Sequence, residues 1–142
     1  DGKIVNVPLT VDGMNYDVTC LSVGNPHCVV FCGFVDKVNV EHIGPMFENS
    51  SVFPKRINTE FVRVVGRNEL KMRTWERGNG ETPACGTGAC AAAIAAVLNG
   101  YCPMNEDITV NVRGGKLSVK YTGDTIYLTG GAELLYKGEI EI

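Results

Sequence analysis

The residues with the clearest chemical capacity lie together between Glu76 and Cys90, in the run Glu-Arg-Gly-Asn-Gly-Glu-Thr-Pro-Ala-Cys-Gly-Thr-Gly-Ala-Cys. One thiol, Cys85, stands at the end of a polar, glycine-punctuated loop that opens with Glu76 and Arg77. From Ala89 to Leu98 every residue is apolar. Such a segment has no amphipathic stripe and predicts a helix buried on all sides, too short to cross a bilayer. Alanine favours the helix, and Asn99-Gly100 supplies a stop. Gly86, Thr87 and Gly88 would form the helix N-terminus, with Thr87 as its cap. The unpaired N–H groups and the macrodipole make that end an anion site, suited to a carboxylate or phosphate. A thiol placed there is expected to have a lowered pKa, which would make Cys85 the most acidic of the six. Cys90, inside the helix, reads as core packing.

Glu76 and Arg77 as a bare pair would be a surface ion pair of little energetic weight. Beside a carboxylate-binding loop they suit a zwitterion, the carboxylate accepting from an ammonium and the guanidinium holding a carboxylate in a fork. Ser22-Val23-Gly24-Asn25-Pro26-His27 forms a polar break before an apolar strand, where functional side chains often lie. Taken alone, His27 is a histidine bonded in a turn and Asn58 a residue at a strand edge. Glu81 reads as bonded to the loop backbone, and His42 as a surface residue.

The Glu76–Cys90 run is similar to the second cysteine motif of the diaminopimelate epimerases, a family of cofactor-independent amino-acid epimerases. Residues 22–27 and the run Phe53-Pro54-Lys55-Arg56-Ile57-Asn58 resemble two further motifs of that family, in family order, and the likeness covers nearly all of the chain. Proline racemases share the Cys-Gly-Thr-Gly core without the lead-in and match less well. The family is a tandem of two similar halves, each giving one catalytic cysteine. No Cys-Gly-Asn-Gly-type motif of the first half occurs here, so the chain resembles the second half alone.

The resemblance implies inversion at the α-carbon of diaminopimelate between its LL and meso forms, with no cofactor and no metal. Inversion needs a base on one face and an acid on the other. Cys85 would be one of that pair, with His27 helping it to lose or regain its proton and Glu76 as the third catalytic group. Gly86 and Thr87 N–H groups would hold the α-carboxylate. Asn25, Asn58, Glu76 and Arg77 would read the distal amino acid. The opposing cysteine would come from an N-terminal half of the same enzyme, and the chain by itself is expected to be inactive. Other readings stay open: half of a proline racemase-like isomerase, a non-catalytic binding or assembly domain, or a hydrolase pairing Cys85 with His27. For the last, no residue is evident to orient the histidine.

At 142 residues the chain fits one domain with a substantial core. Its net charge of −3 and lack of a basic patch argue against nucleic acid as a partner. No apolar run reaches membrane length and no signal peptide is recognised at the start, which gives a cytoplasmic expectation. None of the six cysteines forms a Cys-x-x-Cys pair, so a structural zinc site is poorly supported and free thiols are expected.

The expected fold is α+β: a curved, largely antiparallel sheet wrapped around the central apolar helix. Apolar alternation and turn signals predict strands over Lys3–Leu9, Met14–Ser22, Cys28–Cys32, Glu60–Val65, Leu70–Trp75, Ile108–Val112, Leu117–Tyr121 and Thr125–Leu128. Asp36–Asn49 reads as helical, interrupted at Gly44-Pro45, with a second turn starting at Pro45. Residues 1–130 would form the cysteine domain. In the resembling family the last strand, here Glu133–Ile142, crosses to the first half. Without that half it is expected to be disordered or to pair with a second copy, giving a homodimer.

Overall fold

The computed structural model describes residues 4–83, 85–130 and 133–140. The chain opens with a hairpin of β1 (Ile4–Val11) and β2 (Met14–Ser22). Asp12 and Gly13 both take positive φ at its tip, the two-residue turn whose twist matches the flanking strands. β3 (Pro26–Phe31), a 3-10 turn at Val35–Lys37 and α1 (Val40–Glu48) follow. Next come β4 (Asn58–Gly66), β5 (Glu69–Glu76), the short β6 (Gly80–Thr82) and α2 (Gly86–Leu98). β7 (Asp107–Val112), β8 (Gly115–Tyr121), β9 (Thr125–Gly130) and β10 (Glu133–Glu139) complete it. The strands form one sheet in the order β1-β2-β3-β4-β5-β7-β8-β9-β10, with β6 paired to β5. The β3–β4 and β5–β7 pairings are parallel and the others antiparallel. The α+β expectation with a largely antiparallel sheet holds.

α2 contacts β2, β3, β4, β5, β7, β8 and β9, so the sheet curves round most of its circumference. That is why a helix with no polar stripe is stable here: Gly88 through Ala96 are all buried. Leu21, Val29, Val62, Leu70, Ile108, Val119 and Ile126 supply the surrounding wall. A second core lies on the opposite face of the sheet, under α1. Phe47 packs edge-on against Phe61 and Tyr16, at ring-centroid distances of 5.7 and 5.1 Å. Neighbouring residues such as Val29 and Val30, or Phe61 and Val62, are therefore buried on opposite faces. Strands covered on both sides read as continuous apolar runs, and the sequence did not separate the two faces.

Two expectations are corrected. Pro45 does not break the helical stretch: a single helix, α1, runs through it. Proline removes one backbone hydrogen bond there, and Val40, Ile43 and Phe47 hold the helix on the sheet regardless. The closing strand is not left disordered, because β10 pairs antiparallel with β9 from Glu133↔Gly130 to Glu139↔Thr125. Its other edge carries no strand among the described residues. Lys3 and Ile142, placed in strands by the sequence, lie outside the described residues. Among the described residues no helix is long and apolar enough to cross a membrane.

α1 meets the sheet at Gly44, where an added Cβ would overlap the Trp75 ring. Gly44→Ala is expected to destabilise the fold by about 1–3 kcal/mol through overpacking, measurable as a lowered denaturant midpoint at unchanged m-value.

Candidate active site

Strand alternation brings the polar residues to one place. His27 is in register with Asn58, Val29 with Glu60, Glu60 with Thr74, and Thr74 with Thr82. Facing partners share a side of the sheet, and Val29 belongs to the α2 core, so His27, Asn58, Glu60, Thr74, Glu76 and Thr82 all lie on the α2 side. They stand at the start of β3 and β4 and the end of β5, the same end of the sheet as the N-terminus of α2.

At that terminus the cap is Cys85 itself, in extended conformation, and its Sγ accepts from the Gly88 N–H at 3.2 Å. This corrects the assignment of Thr87 as the cap; the Thr87 hydroxyl instead lies 3.7 Å from Sγ. Among the described residues no acceptor is found for the Gly86 and Thr87 N–H groups, as is usual for the first turn of a helix.

The acidity of Cys85 also departs from expectation. Its pKa is raised, first by burial, then by the Glu60 carboxylate and more weakly by Glu76, against the lowering effect of the Thr87 hydroxyl and Gly88 N–H. Helix-end stabilisation is a short-range effect of modest size. Here desolvation and two carboxylates outweigh it. The thiol lowered from its ordinary value is Cys20, which accepts from Cys28, its cross-strand partner. Burial pushes Cys90 up to about 12, in keeping with its core role. All six cysteines are free.

His27 is fully buried, and both its ring nitrogens are engaged. Nδ1 lies 2.9 and 3.0 Å from the two Glu60 oxygens, and Nε2 lies 3.0 Å from Asn25 Oδ1. A carboxylate only accepts, so Nδ1 carries the shared hydrogen. Neither nitrogen has a hydrogen bond to Cys85, so any help that His27 gives the thiol in losing or regaining its proton does not run through a direct bond in this structure. The link between them is Glu60, a residue the sequence reading passed over. A charged residue beginning a strand usually faces solvent. Its alternation with Val62 and Val64, on the side facing α2, was the available signal.

Asn58 ties two loops together, its Nδ2 donating to the Pro26 carbonyl at 3.0 Å and its Oδ1 accepting the Arg77 N–H at 2.8 Å. Each end of an amide retains one further hydrogen-bonding position. The Arg77 guanidinium donates to the Lys55 carbonyl, and Glu76 accepts from the Thr82 hydroxyl. Glu48, buried at the end of α1, accepts from Trp75 Nε1 and the Gly78 N–H and pairs with Arg56, which fixes the turn carrying Arg77. Glu81 is not bonded as expected. It forms a two-pronged pair with Arg73 at 2.8 and 2.9 Å and a second pair with Arg113, anchoring the cysteine loop from outside. His42 is exposed beside Asp12, as read. Among the described residues no three His, Cys, Asp or Glu side chains gather as a metal site.

The fold is similar to that of the Bacillus anthracis phenazine biosynthesis protein of the PhzF family, at TM-score 0.56 and 19% identity over 80% of this chain and 38% of the other. A protein of the same family from Enterococcus faecalis gives TM-score 0.53 and 21% identity, over 80% of this chain and 42% of the other. At such identities the likeness defines an architecture only. The sequence narrows it: residues 19–135 match the family model of diaminopimelate epimerase, and the chain belongs to that family. It is 49% identical to diaminopimelate epimerase 1 of Nostoc sp. over 99% of its own length and 50% of the relative's. The diaminopimelate epimerases of Synechocystis sp. and Agathobacter rectalis are 47% and 44% identical over 99% and 100% of the chain, and 50% of their own lengths. The chain thus spans about half the length of the curated relatives it matches.

Burial and the two carboxylates raise the Cys85 thiol above its ordinary value. Its alkylation rate is expected to reach half-maximum above the ordinary thiol value of 9.0, and Cys20 is expected to react at lower pH. A Cys85 midpoint below 9.0 would mean that the helix end outweighs the carboxylates. Gly88→Ala is expected to slow or distort this site, because an added Cβ would lie 2.9 Å from Glu60 Oε2 and 3.1 Å from Cys85 Sγ.

Proposed function

We propose that the chain is the C-terminal half of a diaminopimelate epimerase, contributing one face of a two-cysteine inversion at the α-carbon. The observation that carries this reading is the start of α2, where the Cys85 thiol caps the helix and the Gly86 and Thr87 N–H groups are left over. A substrate α-carboxylate held by those two N–H groups would sit within reach of the thiol. The α-proton of an amino acid is very weakly acidic, so charge that develops as it leaves must be stabilised by fixed dipoles in a site closed to water. The helix end supplies such dipoles without a cofactor.

Cys85, resting as a thiol, would deliver a proton to one face while a thiolate of the N-terminal half removes the proton from the other. The reverse reaction interchanges the roles. Glu76, beside Cys85 and held by Thr82, would accept from a substrate ammonium. Asn25, Asn58 and Arg77 would read the distal amino acid, with Asn58 also keeping the Pro26 and Arg77 turns in place. His27 supports this arrangement from below rather than by direct proton transfer. The hydrolase alternative is weakened, since His27 has no bond to Cys85.

The purified chain is expected to show no epimerisation above a Cys85→Ala control, because the second face is missing. Mixing it with a separately made N-terminal half is expected to restore turnover, followed by chiral chromatography of diaminopimelate. Epimerisation by the chain alone would overturn the two-face reading. In the assembled enzyme, Arg77→Ala is expected to raise KM by roughly tenfold or more, the loss of one charge-assisted contact. Arg77→Lys should rescue it only partly, since a point charge does not reproduce the fork. A wild-type KM for Arg77→Ala would remove Arg77 from the distal subsite.

A further inference from the structure

We propose that Glu60 is the positioning residue of the cysteine centre: its buried carboxylate anchors His27 through Nδ1 and lies against the first turn of α2 beside the Cys85 thiol, fixing the two groups relative to each other. The inference rests on the reading of Cys85 as the reacting thiol.

Glu60 and His27 are both at 0% exposure, and both carboxylate oxygens lie within 3.0 Å of Nδ1. A carboxylate without water is costly to bury unless paired and hydrogen-bonded. Among the described residues the Glu60 carboxylate is bonded only by His27, and the Thr74 hydroxyl in register with it has no partner. The pair is therefore one unit: moving His27 strands the carboxylate. That unit reaches the helix. Gly88 leaves the space into which the carboxylate projects, since a Cβ there would sit 2.9 Å from Oε2 and 3.1 Å from Cys85 Sγ. His27 in turn holds Asn25 through Nε2, so a single anion links β4, the β2–β3 loop and the start of α2.

The same placement has an electrostatic consequence. The groups that face Cys85 from the elements around it are Glu60 on β4 and Glu76 on β5, and on α2 the Thr87 hydroxyl, the Gly88 N–H and Cys90. Glu60 acts against thiolate formation more strongly than Glu76 does. It thus adds to burial in holding the proton on sulfur.

The test is residue-resolved alkylation of the chain with iodoacetamide across pH, read by mass spectrometry. Glu60→Gln keeps the shape and removes the charge. The Cys85 profile is expected to move to lower pH by on the order of one unit, with Cys102 unchanged. Glu76→Gln is expected to give a smaller shift in the same direction, and Glu60→Asp to retain a profile nearer wild type than Glu60→Gln. An unmoved Cys85 profile in folded Glu60→Gln overturns the proposal. If that variant does not fold, nitrogen-15 spectra of His27 in the wild-type chain decide: a hydrogen on Nδ1, slow to exchange, is expected, and an Nδ1 without one at neutral pH overturns the anchor. None of these readouts requires epimerisation. A null result in the reconstitution assay with a positive result here would sink the functional reading while leaving Glu60 in place.

Discussion

Everything in this molecule follows from the need to bury a helix that has no polar side. α2 cannot lie on a surface, so a sheet must go round it, and the strands from β2 to β9 do so. A helix enclosed in this way meets polar surroundings only at its ends. At its N-terminus the backbone donors have no partners of their own, so the polar residues of the surrounding strands converge on that point. The site is where it is because the helix has nowhere else to meet charge.

Burial also sets the chemistry. The usual rule that a thiol at a helix N-terminus is acidified assumes that water or a cation balances the remaining charge. In this chain the cap thiol is half buried and two carboxylates stand close to it. The field of a helix end extends about one turn, and over the same distance a carboxylate in a poorly solvated pocket has a larger effect. Cys85 is thus held as an acid. Cys20, at no helix N-terminus but with a neighbouring S–H to accept from, shows the opposite shift.

Much of this was legible in the sequence. The apolar run Ala89–Leu98, the hairpin turn at Asp12-Gly13 and the strands from Ile108 onward all appear as their residue patterns imply, because local propensity and burial agree in those segments. The candidate residues Asn25, His27, Asn58, Glu76, Arg77, Cys85, Gly86 and Thr87 were named from motifs, and the fold gathers them at one end of the sheet. Partner choice was not legible. Glu60 with His27, Glu81 with Arg73, and Glu48 with Trp75 and Gly78 are pairings across 33, 8, 27 and 30 residues, and no local pattern encodes them. The path through Pro45 was misjudged because packing by Val40, Ile43 and Phe47 overrides the proline's local preference.

The double burial of β3 and β4 bears on how the strands find their alignment. Phe61 and Val62 are adjacent and both covered, so sliding β4 by one residue would exchange one apolar side chain for another on each face. Greasiness alone hardly discriminates between the two alignments. The acidic residue does. After such a slide Glu60 would enter the layer of Cys28 and Phe47, with no imidazole to receive it, and a stranded anion in that layer would cost several kcal/mol. The polar pair thus serves as a vernier for assembly of the sheet, selecting one alignment among neighbours that oil-like contacts would tolerate equally.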